Sequence, residues 1–159
     1  MLEQLRAKGG TDLKIVLAGS LMVSDCFRAQ AVEAMGRAYA PYSGYQVGAA
    51  LLCADGTVYQ GCNIENGSFG ATNCAGRTAF FRAVFDGHRA FSAIAVCGGK
   101  GGVITGAFPP CGVCRQVMRE FCGDDFRIYL VNDKGFETVT LAQLLPYGFT
   151  AVEHMSTNE

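Results

Sequence analysis

Three of the eight cysteines in this 159-residue chain are placed for chemistry. Cys111-Gly-Val-Cys114 follows Pro109-Pro110 and opens an apolar-periodic stretch, so two sulfurs project from the first turn of a predicted helix. Cys74 stands in the same place ahead of an earlier one. A helix N-terminus presents unpaired N–H groups and the positive end of the helix dipole, which favour thiolate over thiol. Brought together, three thiolates form a soft donor set suited to Zn²⁺, one ion per subunit. A structural zinc site is closed by four protein donors, whereas a catalytic one leaves a position open. The structural alternative needs a fourth donor from Cys53, Cys62, Cys97, His88 or His154, none of which forms a second paired motif. Three thiolates also make the centre net negative, so charge must be drawn off. Arg77, one turn past Cys74, is spaced to donate to the sulfurs; the plainer alternative is a solvated surface arginine.

The other cysteines, Cys26, Cys53, Cys62, Cys97 and Cys122, sit singly among apolar residues and read as small hydrophobes. A chain of this length builds its own core and needs no disulfide staples, so a reduced, cytoplasmic protein is expected. With 13 Lys+Arg against 14 Asp+Glu, the chain lacks the basic excess that a nucleic-acid binder uses against phosphates. Half of the residues are apolar and 17% charged, which excludes a disordered chain and leaves apolar surface for a partner subunit to cover. The apolar stretch Ile15–Val23 is too short to span a membrane, and Glu3 and Asp12 spoil a signal-peptide reading. Residues 1–23 read as an N-terminal leader or extension, 24–150 as one domain and 151–159 as a tail.

Elements that could position the cysteines follow from pattern. Ser24 is a candidate cap for a helix with Phe27, Ala31, Met35 and Ala38 on one face, ended by Pro41. Val47–Cys53 and Val58–Asn63 flank Asp55-Gly56, a hairpin signal. Thr72 or Asn73 caps a helix from Cys74 to about Phe85. Phe91–Cys97 is a third strand, Gly112–Phe121 a helix, Arg127–Asn132 a fourth strand and Phe136–Val139 a short fifth. Thr140-Leu-Ala-Gln143 has the form of a capping box for a last helix. A hairpin followed by alternating strands and helices implies an α/β fold, its mixed five-stranded sheet covered on both faces.

Ordered blocks across the chain carry a resemblance. Tyr39-Ala-Pro-Tyr-Ser, Tyr45-Gln-Val-Gly-Ala-Ala, Gly61-Cys-Asn-Ile-Glu-Asn, Thr72-Asn-Cys-Ala, Arg77-Thr-Ala and Pro110-Cys-Gly-Val-Cys-Arg-Gln116 resemble the small cytidine deaminases that act on free nucleosides. The likeness runs from about Ser24 to Phe149. It implies a three-layer α/β/α sandwich and a homotetramer with active sites shared between subunits. It also implies zinc-dependent hydrolytic deamination of cytidine or 2′-deoxycytidine to the uridine. By the same resemblance, Cys74, Cys111 and Cys114 match the metal ligands, and Asn63 and Glu65 the pair that bonds the ribose 3′-hydroxyl. Tyr45 matches an aromatic against the pyrimidine, Ala75 a substrate-contacting position, and Phe149 a phenylalanine lent by a neighbouring subunit. Without the resemblance, Asn63 reads as a turn residue and Phe149 as core.

At Gly76 the chain departs from the pattern. Zinc deaminases carry a glutamate two residues after the first ligand. The resemblance implies Cys-Ala-Glu-Arg, whereas the chain reads Cys74-Ala75-Gly76-Arg77. That glutamate takes a proton from the attacking water, passes it to the ring nitrogen and then serves the departing ammonia. Losing a general acid–base costs ~10²–10⁴ in rate. Glycine in a first turn also disfavours the helix by up to about 1 kcal/mol relative to alanine. Three expectations follow: a deaminase impaired at Gly76, a hydrolase repurposed for C4-modified pyrimidine nucleosides (N4-substituted, thio or alkoxy), or a non-catalytic nucleoside binder.

Overall fold

The computed structural model describes residues 20–151 of the chain. Its elements are α1 (Ser20–Met35), β1 (Tyr45–Cys53), β2 (Val58–Cys62), α2 (Ala75–Phe85), β3 (Phe91–Lys100), α3 (Gly112–Phe121), β4 (Arg127–Asn132), β5 (Gly135–Thr140) and α4 (Leu141–Leu144). One sheet of five strands has the order β2-β1-β3-β4-β5. The pairs β1–β2, β1–β3 and β4–β5 are antiparallel and β3–β4 is parallel, so the sheet is mixed.

Burial on both faces explains the near-continuous apolar runs of β1 and β3. On one face Phe27, Ala31 and Met35 of α1 pack with Ala50, Ala93, Ala95 and Val131. On the other, Ala79, Phe80 and Ala83 of α2 and Met118 of α3 pack with Leu51, Ile94 and Ile128. These layers make the expected three-layer α/β/α sandwich. Two glycines allow the helices to lie close. A Cβ at Gly48 would run into the Ala31 carbonyl and Met35 amide of α1, and one at Gly61 into the Ala75 carbonyl and Ala79 amide of α2. Any side chain at Gly61 would push α2, and Cys74 with it, off the sheet.

Strand direction sets the site. β2 and β3 both run antiparallel to β1, so they point the same way. The helices that follow them, α2 and α3, therefore begin at the same edge of the sheet.

Several boundaries differ from expectation. α1 begins at Ser20, inside the segment read as leader, so Ser24 lies within the helix instead of capping it. Residues 1–19 and 152–159, including His154, lie outside the described residues. α2 is capped by the extended residue Cys74, not by Thr72 or Asn73. Asn73 is instead drawn into a bridge with Ile64. The capping box at α4 forms as its sequence indicates: Thr140 accepts from the Gln143 amide, and the Gln143 side chain accepts from the Thr140 amide. No described helix is long and apolar enough to cross a membrane.

Candidate metal centre and substrate pocket

Cys74 and Cys111 occupy equivalent places, each the N-cap of its helix with extended backbone, and Cys114 lies in the first turn of α3. The three sulfurs lie within 4.8 Å of one another. Cys74 Sγ is 3.6 Å from Cys111 Sγ, which is 3.5 Å from Cys114 Sγ. Tetrahedral zinc with Zn–S bonds of about 2.3 Å requires sulfurs about 3.8 Å apart, so the spacing fits the ion. All eight cysteines are free.

Electrostatics favours a thiolate at Cys74, the start of α2. The Cys74 thiol is lowered to about 5, first by the hydrogen bond with Cys114, then by Arg77 and Cys111, against the opposing effect of burial. Cys114 is pushed up by the same shared proton and by its burial. Arg77 Nη2 donates to Cys74 Sγ at 3.5 Å and to the Thr72 carbonyl at 3.1 Å, which fixes the guanidinium beside the sulfurs.

None of the other donors considered as a fourth ligand joins the trio among the described residues. Cys62 donates to the Arg37 carbonyl at 3.3 Å, and Cys97 is buried 4.0 Å from the Met35 sulfur. Cys53 and His88 belong to a separate cluster with Asp55. Among the described residues the trio is thus a three-donor centre.

The sulfurs border a cavity of about 230 Å³ whose lining also includes Tyr45, Asn63, Glu65, Ala75 and Gly76. Sequence reasoning singled out each of these. It missed Phe108, which lines the same cavity with its ring centroid 6.2 Å from that of Tyr45. The available signal was its place immediately before Pro109-Pro110, a stiff segment leading into a ligand. A wider hollow of about 590 Å³, lined by Asp55, Asp125 and Arg127 among others, lies at the opposite strand ends, away from the sulfurs.

Asn63 is neither a turn residue nor free. It is 7% exposed, accepts from the Val47 amide at 2.9 Å and donates to the Tyr45 carbonyl at 2.8 Å, so its amide clips the start of β1 to the end of β2. Glu65 is partly exposed, and its carboxylate is engaged. Oε2 accepts from the Tyr42 and Ser43 amides at 2.9 and 3.1 Å, and the Ser43 hydroxyl donates to Oε1. The Ser43 hydroxyl first, and then these amides, hold the Glu65 carboxyl below the usual range. Phe149 is 60% exposed and not in the cavity lining; its carbonyl accepts from Gln116 Nε2 at 3.0 Å.

Nothing in the local structure requires glycine at position 76. Its φ lies outside the left-handed region. A Cβ there would meet Ile94 Cδ1 and Met118 Cε at 3.7 Å and Cys114 Sγ at 4.0 Å, all ordinary contacts. A side chain would therefore project toward the sulfurs without a clash at its root.

An α/β/α sandwich with three clustered cysteine sulfurs at two helix starts, beside a mostly apolar pocket, has the form of a zinc-dependent hydrolase. The family described as the cytidine and deoxycytidylate deaminase zinc-binding region matches residues 23–130, and the chain belongs to that family. It is 52% identical over 123 residues to the cytidine deaminase of Sporosarcina psychrophila, covering 77% of this chain and 88% of that protein. It is 50% identical to the cytidine deaminase of Halalkalibacterium halodurans, covering 77% and 90%. The crystal structure of cytidine deaminase from Burkholderia pseudomallei is similar with a TM-score of 0.73 and 43% identity, covering 79% of this chain and 98% of that one.

Proposed function

We propose that this chain binds cytidine or 2′-deoxycytidine as a zinc-dependent hydrolytic deaminase, with turnover held down by Gly76. The observation that carries this reading is one cavity bordered by three clustered sulfurs, Asn63, Glu65 and Tyr45, with glycine at the point nearest the acid–base role.

Cys74, Cys111 and Cys114 would hold the zinc, which when bound would supply Lewis-acid activation of the attacking water. The two helix starts and Arg77 offset the negative charge of the thiolates. Tyr45 and Phe108 flank the pyrimidine ring and exclude water from its faces. Asn63 keeps a second amide hydrogen, and Glu65 spare lone pairs, for the ribose 3′-hydroxyl, while their existing bonds hold both groups in place. Ala75 lies against the C4 end of the ring. Deamination needs a proton moved from water to the ring nitrogen and another to the departing amine. Gly76 can move neither, so both must come from solvent.

The test is a paired assay of the parent chain and Gly76→Glu on cytidine, with zinc measured in both. Gly76→Glu is expected to raise kcat by ~10²–10⁴ with little change in KM. Equal rates at equal zinc content would overturn the assignment.

The open space at Gly76 favours a second reading, hydrolysis of nucleosides with bulkier or better leaving groups at C4. N4-substituted, 4-thio and 4-alkoxy pyrimidine nucleosides need less protonation or more room than cytidine does. Parent activity on these above that on cytidine supports it. Inactivity on all of them, with retained nucleoside affinity, would make the chain a binder.

The finer expectations of a homotetramer and a cytoplasmic setting belong to the same proposal. Phe81, Phe85 and Ile64 expose 48%, 90% and 46% of their surface around α2, an apolar patch suited to a second copy. In that assembly Phe149 would close a neighbour's pocket. Eight free thiols suit a reducing compartment.

A further inference from the structure

Away from the pocket, a second group of metal-competent side chains is assembled by two turns. β1 ends at Cys53, and Asp55-Gly56 reverses the chain into β2, with Gly56 in the left-handed region at φ +91°. α2 is closed by Gly87 at φ +97°, after which the His88 amide donates to the Ala83 carbonyl at 2.9 Å. These two turns bring Cys53 Sγ, an Asp55 carboxylate oxygen and a His88 ring nitrogen within 4.8 Å of one another.

Each donor is oriented by something other than its two companions. Asp55 Oδ1 accepts from the Thr57 amide at 2.9 Å, which leaves Oδ2 turned to His88 Nδ1 at 3.5 Å. The His88 ring stands edge-on to Tyr59, centroids 5.3 Å apart. Cys53 is 1% exposed and anchored in β1, whereas Asp55 and His88 side chains are 56% and 23% exposed. A buried sulfur is thus covered by two donors reachable from solvent, which gives an ion a way in.

We propose that Cys53, Asp55 and His88 form a second binding site for a zinc-class divalent cation, distinct from the three-cysteine centre. One sulfur, one imidazole nitrogen and one carboxylate oxygen make a borderline donor set that selects zinc-like ions over calcium or magnesium. Bond lengths of about 2.0–2.3 Å place these donors about 3.3–3.5 Å apart, so the cluster closes on an ion by about 1.5 Å at most. Binding replaces the Cys53 thiol proton, which leaves to solvent, and water completes the coordination. The ion ties the β1–β2 turn to the C-terminal end of α2, the helix whose first turn carries Gly76.

The test is equilibrium dialysis of the chelator-stripped full chain against micromolar free zinc, followed by elemental analysis. Two equivalents per chain are expected, falling to one in His88→Ala and in Asp55→Asn, each shown by circular dichroism to be folded. Cys111→Ser should keep the equivalent that His88→Ala loses. With cobalt as the probe, a thiolate-to-cobalt charge-transfer band should survive in Cys74→Ser/Cys111→Ser/Cys114→Ser and vanish when His88→Ala is added. One equivalent in the parent chain, or equal zinc in the parent and His88→Ala, would overturn the site. So would a His88→Ala chain that loses thermal stability at unchanged zinc content, since that marks a plain ion pair.

Discussion

A glutamate at Gly76 would start from a Cβ in ordinary contact with Ile94, Met118 and Cys114, in a helix that glycine itself disfavours. Gly76→Glu should therefore leave the fold intact while restoring turnover, a separation that thermal melting beside the kinetic assay reads directly. At Arg77 the argument concerns charge. Its guanidinium is held to Cys74 Sγ and the Thr72 carbonyl, so Arg77→Gln removes the charge that offsets the thiolates. Partners of metal ligands of this kind are worth ~10–100-fold in metal affinity or activity, and a competition titration with a chromophoric chelator should find a loss in that range. Glu65 offers a pH test. Its folded pKa is depressed, so its contribution is fully present above the unfolded value of about 4.3 and is lost as pH falls through the lower folded value. Glu65→Gln should accordingly be less stable than the parent at neutral pH. The gap should close as the pH drops below about 4, read from urea midpoints at the two pH values.

At the scale of elements, α2 positions the site because it lies flush on β2 at Gly61. A methyl group there would meet backbone atoms of Ala75 and Ala79, which have no rotamer to escape into. Gly61→Ala should cost about 1–3 kcal/mol. It should also weaken zinc binding, because a displaced α2 carries Cys74 away from Cys111. Denaturant melts and zinc titration of one preparation test both parts, and a stability loss with unchanged zinc affinity would contradict the coupling. Much of this scale was readable in advance. β4 and α3 have the bounds that their patterns indicate, and the Thr140–Gln143 box forms, because alternation, helical period and local capping are short-range properties of the chain. The caps of α1 and α2 were not. Thr72 and Asn73 are good caps in isolation, but Asn73 pairs with Ile64 and its side chain bonds Thr78, so the helix start falls to Cys74.

For the whole molecule, Phe81 and Phe85 leave apolar surface exposed on α2, the helix that bears the site, and the proposed subunit contact would fall there. If the proposed tetramer of 16.9 kDa chains forms, Phe85→Asp should break it into smaller species by sedimentation. It should lower nucleoside affinity as well, if Phe149 closes the neighbouring pocket. The sequence alone determined the donor types, their three-residue spacing in Cys111–Cys114, the α/β order of elements and the glycine at position 76, since all of these are properties of residue identity and local period. Tertiary structure decided the rest. It brought Cys74 to the other two sulfurs across 37 residues, set Phe108 against Tyr45, engaged Asn63 and Glu65 in the backbone, and moved Cys53 and His88 into a cluster of their own. Convergence of this kind depends on strand order and on how closely helices approach the sheet, which no window along the chain contains.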